Sequence, residues 1–554
     1  MFLRITALLA LCSISIWPSG ASADSGPARL GAINHIVVIY EENHSFDNLY
    51  GGWEGVNGRA NATNATQLNQ AGSPYACLLQ NDVNLTSPPL AADCAAATTT
   101  TPGMHFTNSP FSIEAYIPAS AQTCPQPGVF AANGLTPSAA NRAGGCTRDI
   151  VHRFYQEQYQ LNKGAQNLYV TGSDAAGLAM GYYDTTALPI YTYLHSPAHP
   201  HYAISDNFFQ SAFGGSFLNH QWLIAAASPR WPGAPASQYS IIDSNGMPNN
   251  YPLYHATGPV KDAALTQLCP STVPGRACGD YAVNTIQPFQ QPTSSNPVKL
   301  PAQTGTTIGD ELSAAGVSWG WYAGGWANAS GDAGAPGWTN GTTPGTCADP
   351  ESFANPQYPY CPSKVFQFHH QPFNYYAAYA SGTPGRTHLK DETDFTNLLG
   401  DSAKTCQLNS VSFVKPVGLE NEHPGYTSVG VGSNHLVSLL QAVQNSACRK
   451  DTMVVVTYDE FGGQYDHVTP PGQGGAAGVR DQWGPGTRIP ALVIAPQLLG
   501  TFVVDHTQYD TTSILATIEH RFGVAPLSSR DAAVNDLGNV FTAHGASARS
   551  GGSA

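Results

Sequence analysis

The chain has 554 residues, with 23 Lys or Arg against 37 Asp or Glu, and a formal net charge of −14. Charged residues make up 11% of it, against roughly 25% in an average soluble protein. No basic surplus exists to neutralise a phosphate backbone, which excludes nucleic acid as an electrostatic partner. Sparse charge excludes a coiled coil, and a hydrophobic fraction of 42% excludes wholesale disorder.

The N-terminus carries Arg4, an apolar run from Ile5 to Trp17, and then Ala21-Ser22-Ala23. Basic, apolar and small-x-small segments in that order predict a secretory signal peptide over 1–23, cleaved after Ala23. The competing reading is a membrane anchor, but a span takes about 20 apolar residues. No later segment is apolar over such a length, so no stable membrane insertion is expected. A secreted or periplasmic chain can form disulfides. Cys12 leaves with the signal, and the remaining cysteines fall into sequential couples. The expected pairs are Cys77–Cys94, Cys124–Cys146, Cys269–Cys278, Cys347–Cys361 and Cys406–Cys448. A zinc reading is weaker, because no C-x2-C pair occurs.

Asn34–Tyr40 is a short continuous apolar run, as in a parallel strand buried on both faces. Met453–Tyr458 and Ile489–Ala495 have the same character. A helix is predicted from a cap at Ser433-Asn434 to about Asn445, and another over Thr511–Phe522, closed by Gly523. Strands alternating with helices predict an α/β fold with a mostly parallel central sheet flanked by helices. Long Ala/Thr/Ser/Pro/Asn/Gly stretches, about 58–147, 228–305 and 325–360, carry most cysteines and read as long disulfide-stapled loops. The predicted organisation is one catalytic domain over 24–540 and a disordered tail over 541–554.

Four constellations carry chemistry. Glu41-Glu42-Asn43-His44-Ser45-Phe46-Asp47 follows the first strand, where open α/β sheets place their ligands. A carboxylate followed by an amide oxygen suits a divalent cation, while a polar loop capping the next helix would look the same. Asp459-Glu460-Phe461-Gly462-Gly463 with Asp466-His467 follows another apolar strand. Its adjacent carboxylates repel unless a cation separates them or one is protonated. Two such acidic strand ends in one chain favour a shared metal. Gly214-Gly215-Ser216 opens an apolar helical run. There a hydroxyl meets the positive end of the helix dipole, as a nucleophile or simply as an N-cap. The pattern is not G-x-S-x-G. Finally, 18 histidines include His152 at the start of an amphipathic helix, the tandem His369-His370, and His423 in a loop. Each suits phosphate binding, leaving-group protonation or a structural hydrogen bond. His35, His44, His195, His199, His201 and His220 are assigned mostly to structure.

Three segments carry a resemblance: Glu42-Asn43-x-Ser45-Phe46-Asp47-x-x-Tyr50-Gly51, Asp459-Glu460-x-Gly462-Gly463-x-x-Asp466-His467-Val468 and Gly486-x-Arg488-Ile489-Pro490-Ala491-Leu492-Val493-Ile494. In order, from about residue 33 to 523, they resemble the bacterial phosphoesterase family of AcpA-type acid phosphatases and bacterial phospholipases C. The resemblance implies an alkaline-phosphatase-like α/β core. It also implies one divalent metal ion held by Glu42, Asn43, Asp459 and Glu460, with Ser216 as nucleophile and further ligand. His152, His369, His370 and His423 fall where that family places phosphate-binding and leaving-group histidines. Glu460 stands where some acid phosphatases have a second Asp. The implied reaction is hydrolysis of a phosphate ester substrate, a monoester, through a phosphoserine. Phospholipase C action on phosphatidylcholine-type phosphodiesters is the alternative. A binding protein that lost catalysis would show an inert residue at a key position, and none does. Sulfatase chemistry lacks its usual Cys/Ser-x-Pro-x-Arg motif here.

Overall fold

Four apolar β-branched residues in succession, Ile36-Val37-Val38-Ile39, are all fully buried in strand β1 (His35–Glu41). This computed structural model describes residues 26–80, 104–113, 147, 149–341, 347 and 356–543. The expected signal peptide, Cys94, Cys124, Cys146 and residues 544–554 lie outside the described residues.

β1 lies inside an eight-stranded sheet. The other strands, in chain order, are β2 (Tyr202–Ser205), β3 (Trp319–Ala323), β4 (Leu389–Asp391), β5 (Val411–Lys415), β6 (Thr452–Tyr458), β7 (Ala491–Ile494) and β8 (Phe502–Asp505). Their spatial order is β8-β2-β7-β6-β1-β5-β3-β4. β1 pairs in parallel with β5 and β6, β5 with β3, β3 with β4, and β8 with β2. The exception is β7, antiparallel to both β6 and β2. This corrects the expectation that 489–495 forms a parallel strand. The chain leaves β6 at Tyr458 and reaches β7 with no intervening helix to carry it to the other end of the sheet. It therefore enters β7 from the end it left.

Helix α1 is Phe154–Gln160, α2 Ser216–Ala225, α3 Glu392–Asp401, α4 Val429–Asn445 and α5 Thr512–Phe522. α4 starts four residues earlier than the predicted cap: Ser428 caps it, its side chain accepting from Val431 N. The signal at Ser433 misled because Val429 and Gly430 look like loop residues. α5 is closed by Gly523, as predicted, and that glycine takes the left-handed conformation. His152 lies before α1 rather than in it. Arg153 is the N-cap, and α1 is buried on every side instead of amphipathic. The pairs Cys269–Cys278, Cys347–Cys361 and Cys406–Cys448 are formed. Cys77 is also disulfide-bonded. Among the described residues, no helix is long and apolar enough to cross a membrane.

Candidate active site

The first two acidic loops meet because their strands are neighbours. β1 and β6 run side by side with Glu41 opposite Tyr458. Glu42-Asn43 and Asp459-Glu460 thus leave the sheet together at the carboxyl end. Asn43 takes a left-handed φ of 63° and Gly462 one of 62°. A Cβ on Gly462 would lie 2.2 Å from the Asn43 carbonyl oxygen, so only glycine lets the loops interlock. Asp459 Oδ1 accepts from Asn43 N at 3.1 Å and Glu460 N at 2.8 Å, and Glu460 Oε2 accepts from Gly462 N at 2.7 Å.

Ser216 arrives from the other side. Gly214 has φ 88° and packs so closely on α1 that a Cβ would lie 2.6 Å from Phe154 N. Gly215 is the N-cap of α2 and Ser216 its first residue, so the serine is not the cap. Its hydroxyl donates to Glu42 Oε2 at 3.1 Å and lies 3.4 Å from both Asn43 Oδ1 and Glu460 Oε1. All five residues anticipated as metal ligands therefore surround one point. Glu42, Asn43, Asp459 and Glu460 are fully buried, and Ser216 is 6% exposed.

A cavity of about 130 Å³ opens over Ser216, lined also by His152, His369, His423 and Tyr426. His152 Nε2 is 3.5 Å from Glu460 Oε1, and its Nδ1 donates to the Ile150 carbonyl at 2.6 Å. His423 Nδ1 donates to the Pro424 carbonyl at 2.7 Å, leaving Nε2 3.1 Å from the Asn43 amide. Donating Nδ1 to a carbonyl fixes the tautomer and aims Nε2 into the site. His370 does not line the cavity. It lies behind it, its Nε2 2.8 Å from Glu42 Oε1.

Two site residues escaped the sequence reading. Lys415, wholly buried at the end of β5, donates to the Tyr40 carbonyl at 2.8 Å and the Glu41 carbonyl at 3.3 Å, and pairs with Glu42 Oε1. Its only sequence signal is a lysine ending an apolar strand in a charge-poor chain. His220 sits one helical turn after Ser216, donates Nδ1 to the Ser216 carbonyl at 2.8 Å, and stacks on His370. The i, i+4 spacing was the available clue. His44 is structural, wedged between Asn48 Oδ1 and the Glu422 carbonyl.

Electrostatics separate the carboxylates. Burial raises Glu42, but His370 and Lys415 outweigh it and hold the carboxyl well below its ordinary range. Burial and then the Glu42 charge push Asp459 well above it, and burial and then Asp459 do the same to Glu460. Burial lowers His369 and His220 strongly, and His370 to about 4.

These residues fit a divalent cation. One end of the Asn43 amide lies 2.8 Å from both Glu42 Oε2 and Glu460 Oε1, where its NH2 donates to the two carboxylates in one orientation and its oxygen joins them around a cation in the other. Asp459 Oδ2 is buried without a hydrogen-bond partner. Oxygens crowded this way repel one another unless a cation lies between them. By contrast, Asp47 and Asp466 do not join the site. Arg488 lies 3.1 Å from Asp47 Oδ1 and 3.0 Å from Asp466 Oδ1, and His467 Nδ1 is 2.6 Å from Asp47 Oδ2. A guanidinium, not a metal, answers that pair and ties the two acidic loops together.

The model of the Phosphoesterase family matches residues 33–525. The chain belongs to the phosphoesterase family. Phospholipase C B of Mycobacterium tuberculosis is 37% identical over 157 residues, covering 24% of this chain and 30% of the relative. The non-hemolytic phospholipase C of Burkholderia pseudomallei is 28% identical over 176 residues, covering 27% and 25%. Non-specific phospholipase C6 of Arabidopsis thaliana is 30% identical over 137 residues, covering 22% and 26%. The chain thus spans about a third or less of these curated relatives' length. Among solved structures, an alkaline phosphatase superfamily protein from Vibrio parahaemolyticus aligns over 42% of this chain and 52% of its own. Its identity is 15% and the TM-score 0.21.

Proposed function

We propose that this phosphoesterase is a secreted, metal-dependent hydrolase of phosphate monoesters that works through a phosphoserine on Ser216. The observation that carries the reading is the Ser216 hydroxyl, 3.1 Å from Glu42 and 3.4 Å from Asn43 and Glu460, at the floor of a small cavity ringed by histidines. Glu42, Asn43, Asp459, Glu460 and Ser216 would hold one divalent ion. When bound, the ion lowers the pKa of the serine hydroxyl and neutralises charge on the transferring group. Ser216 releases its hydroxyl proton to solvent, and its Oγ attacks phosphorus in line, forming the Ser–O–P bond as the ester P–O bond breaks. The leaving oxygen takes a proton from a histidine that lines the cavity. His369 fits that role better than His370, because only His369 faces the cavity. His152 and His423 bind the phosphoryl oxygens. Water then attacks the phosphoserine from the side the leaving group vacated, releasing phosphate and restoring the hydroxyl. Disulfides in the described residues agree with an extracellular or periplasmic protein.

One finding favours a second reading: the curated relatives above are phospholipases C, so phosphodiester cleavage on the same residues is the alternative. Side-by-side turnover of p-nitrophenyl phosphate, bis-p-nitrophenyl phosphate and phosphatidylcholine decides between them. Preference for the monoester supports the proposal, and preference for phosphatidylcholine overturns the monoester reading. Ser216→Ala with near-wild-type turnover of all three would remove the nucleophile assignment. Activity indifferent to chelation would remove the metal.

A further inference from the structure

A second cavity, of about 700 Å³, shares no lining residue with the one over Ser216. α1 and the turn after it contribute Gln158, Tyr159 and Lys163; the 228–305 loop contributes Asn245 and Arg276; the segment leading to β7 contributes Arg480. Among the described residues, the charged side chains of the lining are these three cations, and no carboxylate is among them. That is unusual in a chain where 37 acids outnumber 23 bases.

What the cations do touch is neutral. Arg276 Nη1 donates to Gln158 Oε1 at 2.6 Å, and Arg480 Nη1 to the Gly472 carbonyl at 3.1 Å. Burial lowers Arg276 to about 10, and the charge of Arg480 acts in the same direction. Asp243, the aspartate of that loop beside the lining residues Ser244 and Asn245, is turned into the wall. There it accepts from Asn245 N, Met247 N, Thr257 N and the Tyr254 hydroxyl. The contrast with the first cavity is direct, since the arginine lining it, Arg153, is paired with Asp262 at 2.7 Å.

A partly buried guanidinium without a counter-ion, beside a second guanidinium and an ammonium, is destabilising unless an anion completes it. Three cations lining one cavity call for more than one negative charge, and arginine forks match phosphate oxygens two at a time. The volume falls within the range of small-molecule sites, about 300–1,000 Å³. We infer that this cavity binds a multivalent phosphate-bearing anion through Lys163, Arg276 and Arg480. The site is separate from the chemistry proposed for Ser216 and does not depend on it.

The probe is methylenediphosphonate, which carries two phosphonates and no hydrolysable ester. It is titrated calorimetrically into the full-length, metal-replete protein at low salt. The variants are Lys163→Gln/Arg480→Gln, two exposed side chains whose loss leaves the fold intact, and Arg276→Gln. Wild type and Ser216→Ala should both show binding that the cavity variants lose by about ten-fold or more, equivalent to about 1.4 kcal/mol. That binding should weaken as salt is raised, while p-nitrophenyl phosphate turnover in the cavity variants stays at the wild-type value. A parallel arm uses phosphatidylcholine vesicles doped with phosphatidic acid. Binding of the soluble probe alone identifies a free phosphorylated molecule, and vesicle binding lost in the same variants identifies a lipid headgroup. Equal binding of both probes by wild type and variants, or no binding of either, overturns the inference. A loss of probe binding in Ser216→Ala alone would move the site to the catalytic centre.

Discussion

Glu157 on α1 is fully buried and touches no substrate-facing atom, yet it holds the turn that presents Ser216. Its Oε2 accepts from Gly214 N and from Gln210 Nε2 at 2.9 Å; its Oε1 accepts from Thr487 N and the Thr487 hydroxyl, both at 2.8 Å. Gln210 in turn accepts from Phe461 N at 2.9 Å, reaching the segment of Asp459 and Glu460. A carboxylate serves two backbone N–H groups, one on each oxygen. An amide has one oxygen, so in Glu157→Gln an NH2 must face either Gly214 N–H or Thr487 N–H. One buried donor is then unsatisfied in either rotamer, at a cost of about 1–3 kcal/mol. Ser216 lies two residues beyond Gly214, and a displacement of about 1 Å at a reacting group costs on the order of 100-fold in rate. The expected result is a urea midpoint shifted by about 2 kcal/mol of stability and a kcat reduced about 10- to 100-fold, with KM nearly unchanged. Steady-state kinetics on p-nitrophenyl phosphate and urea titration of the same preparations measure both. Wild-type kcat and midpoint in Glu157→Gln would show that the turn is held by other contacts.

Lys415→Met leaves Glu42 buried without its ammonium and should cost about 3–5 kcal/mol, read as a fall in the urea midpoint; an unchanged midpoint would mean that the pair contributes nothing net. Gly462→Ala forces a methyl group onto the Asn43 carbonyl and should abolish turnover together with divalent-ion affinity, both followed during metal titration of the chelated protein. Replacing Cys406 and Cys448 by Ser opens a 42-residue loop and should cost about 4 kcal/mol, seen as a lower melting temperature. In chelated protein, stability should fall from pH 6.5 to 8.5. Burial raises Glu157 to about 7 and Glu422 to about 8, so the folded state keeps protons that the unfolded state has already released. His44 and His370, both lowered to about 4 chiefly by burial, are neutral in both states over most of that window. A urea midpoint that rises across it contradicts the sign.

The β1 and β6 strands were legible in the sequence because buried parallel strands are runs of Val and Ile, and the meeting of two acidic loops was legible because both clusters follow such runs. The direction of β7 was not legible, because its composition matches a parallel strand and only the route of the loop before it decides. Lys415 and His220 were missed for a related reason. Their partners, Glu42 and His370, are remote in sequence, and a single basic residue in an apolar strand or helix carries no local pattern. Asp47 and Asp466 share the two acidic segments in sequence, but Arg488 lies between them in the structure, a pairing set by packing rather than by spacing.

Asn43 and Asp459 are 416 positions apart in the chain yet one hydrogen bond apart in space. Their meeting is a property of the β1–β6 ladder, which is fastened at its far end where Asn34 Nδ2 donates to Asp451 Oδ2 at 2.7 Å and Asn34 N to the Asp451 carbonyl at 2.9 Å. The surface loops between the sheet strands are tethered to that frame and do not set its register. Insertions, deletions and new bridges within them can therefore accumulate without shifting the ligand oxygens. Diversification in a lineage built this way should concentrate in the cover over the cavity, with the chemistry inherited from the frame and the choice of ester open to revision.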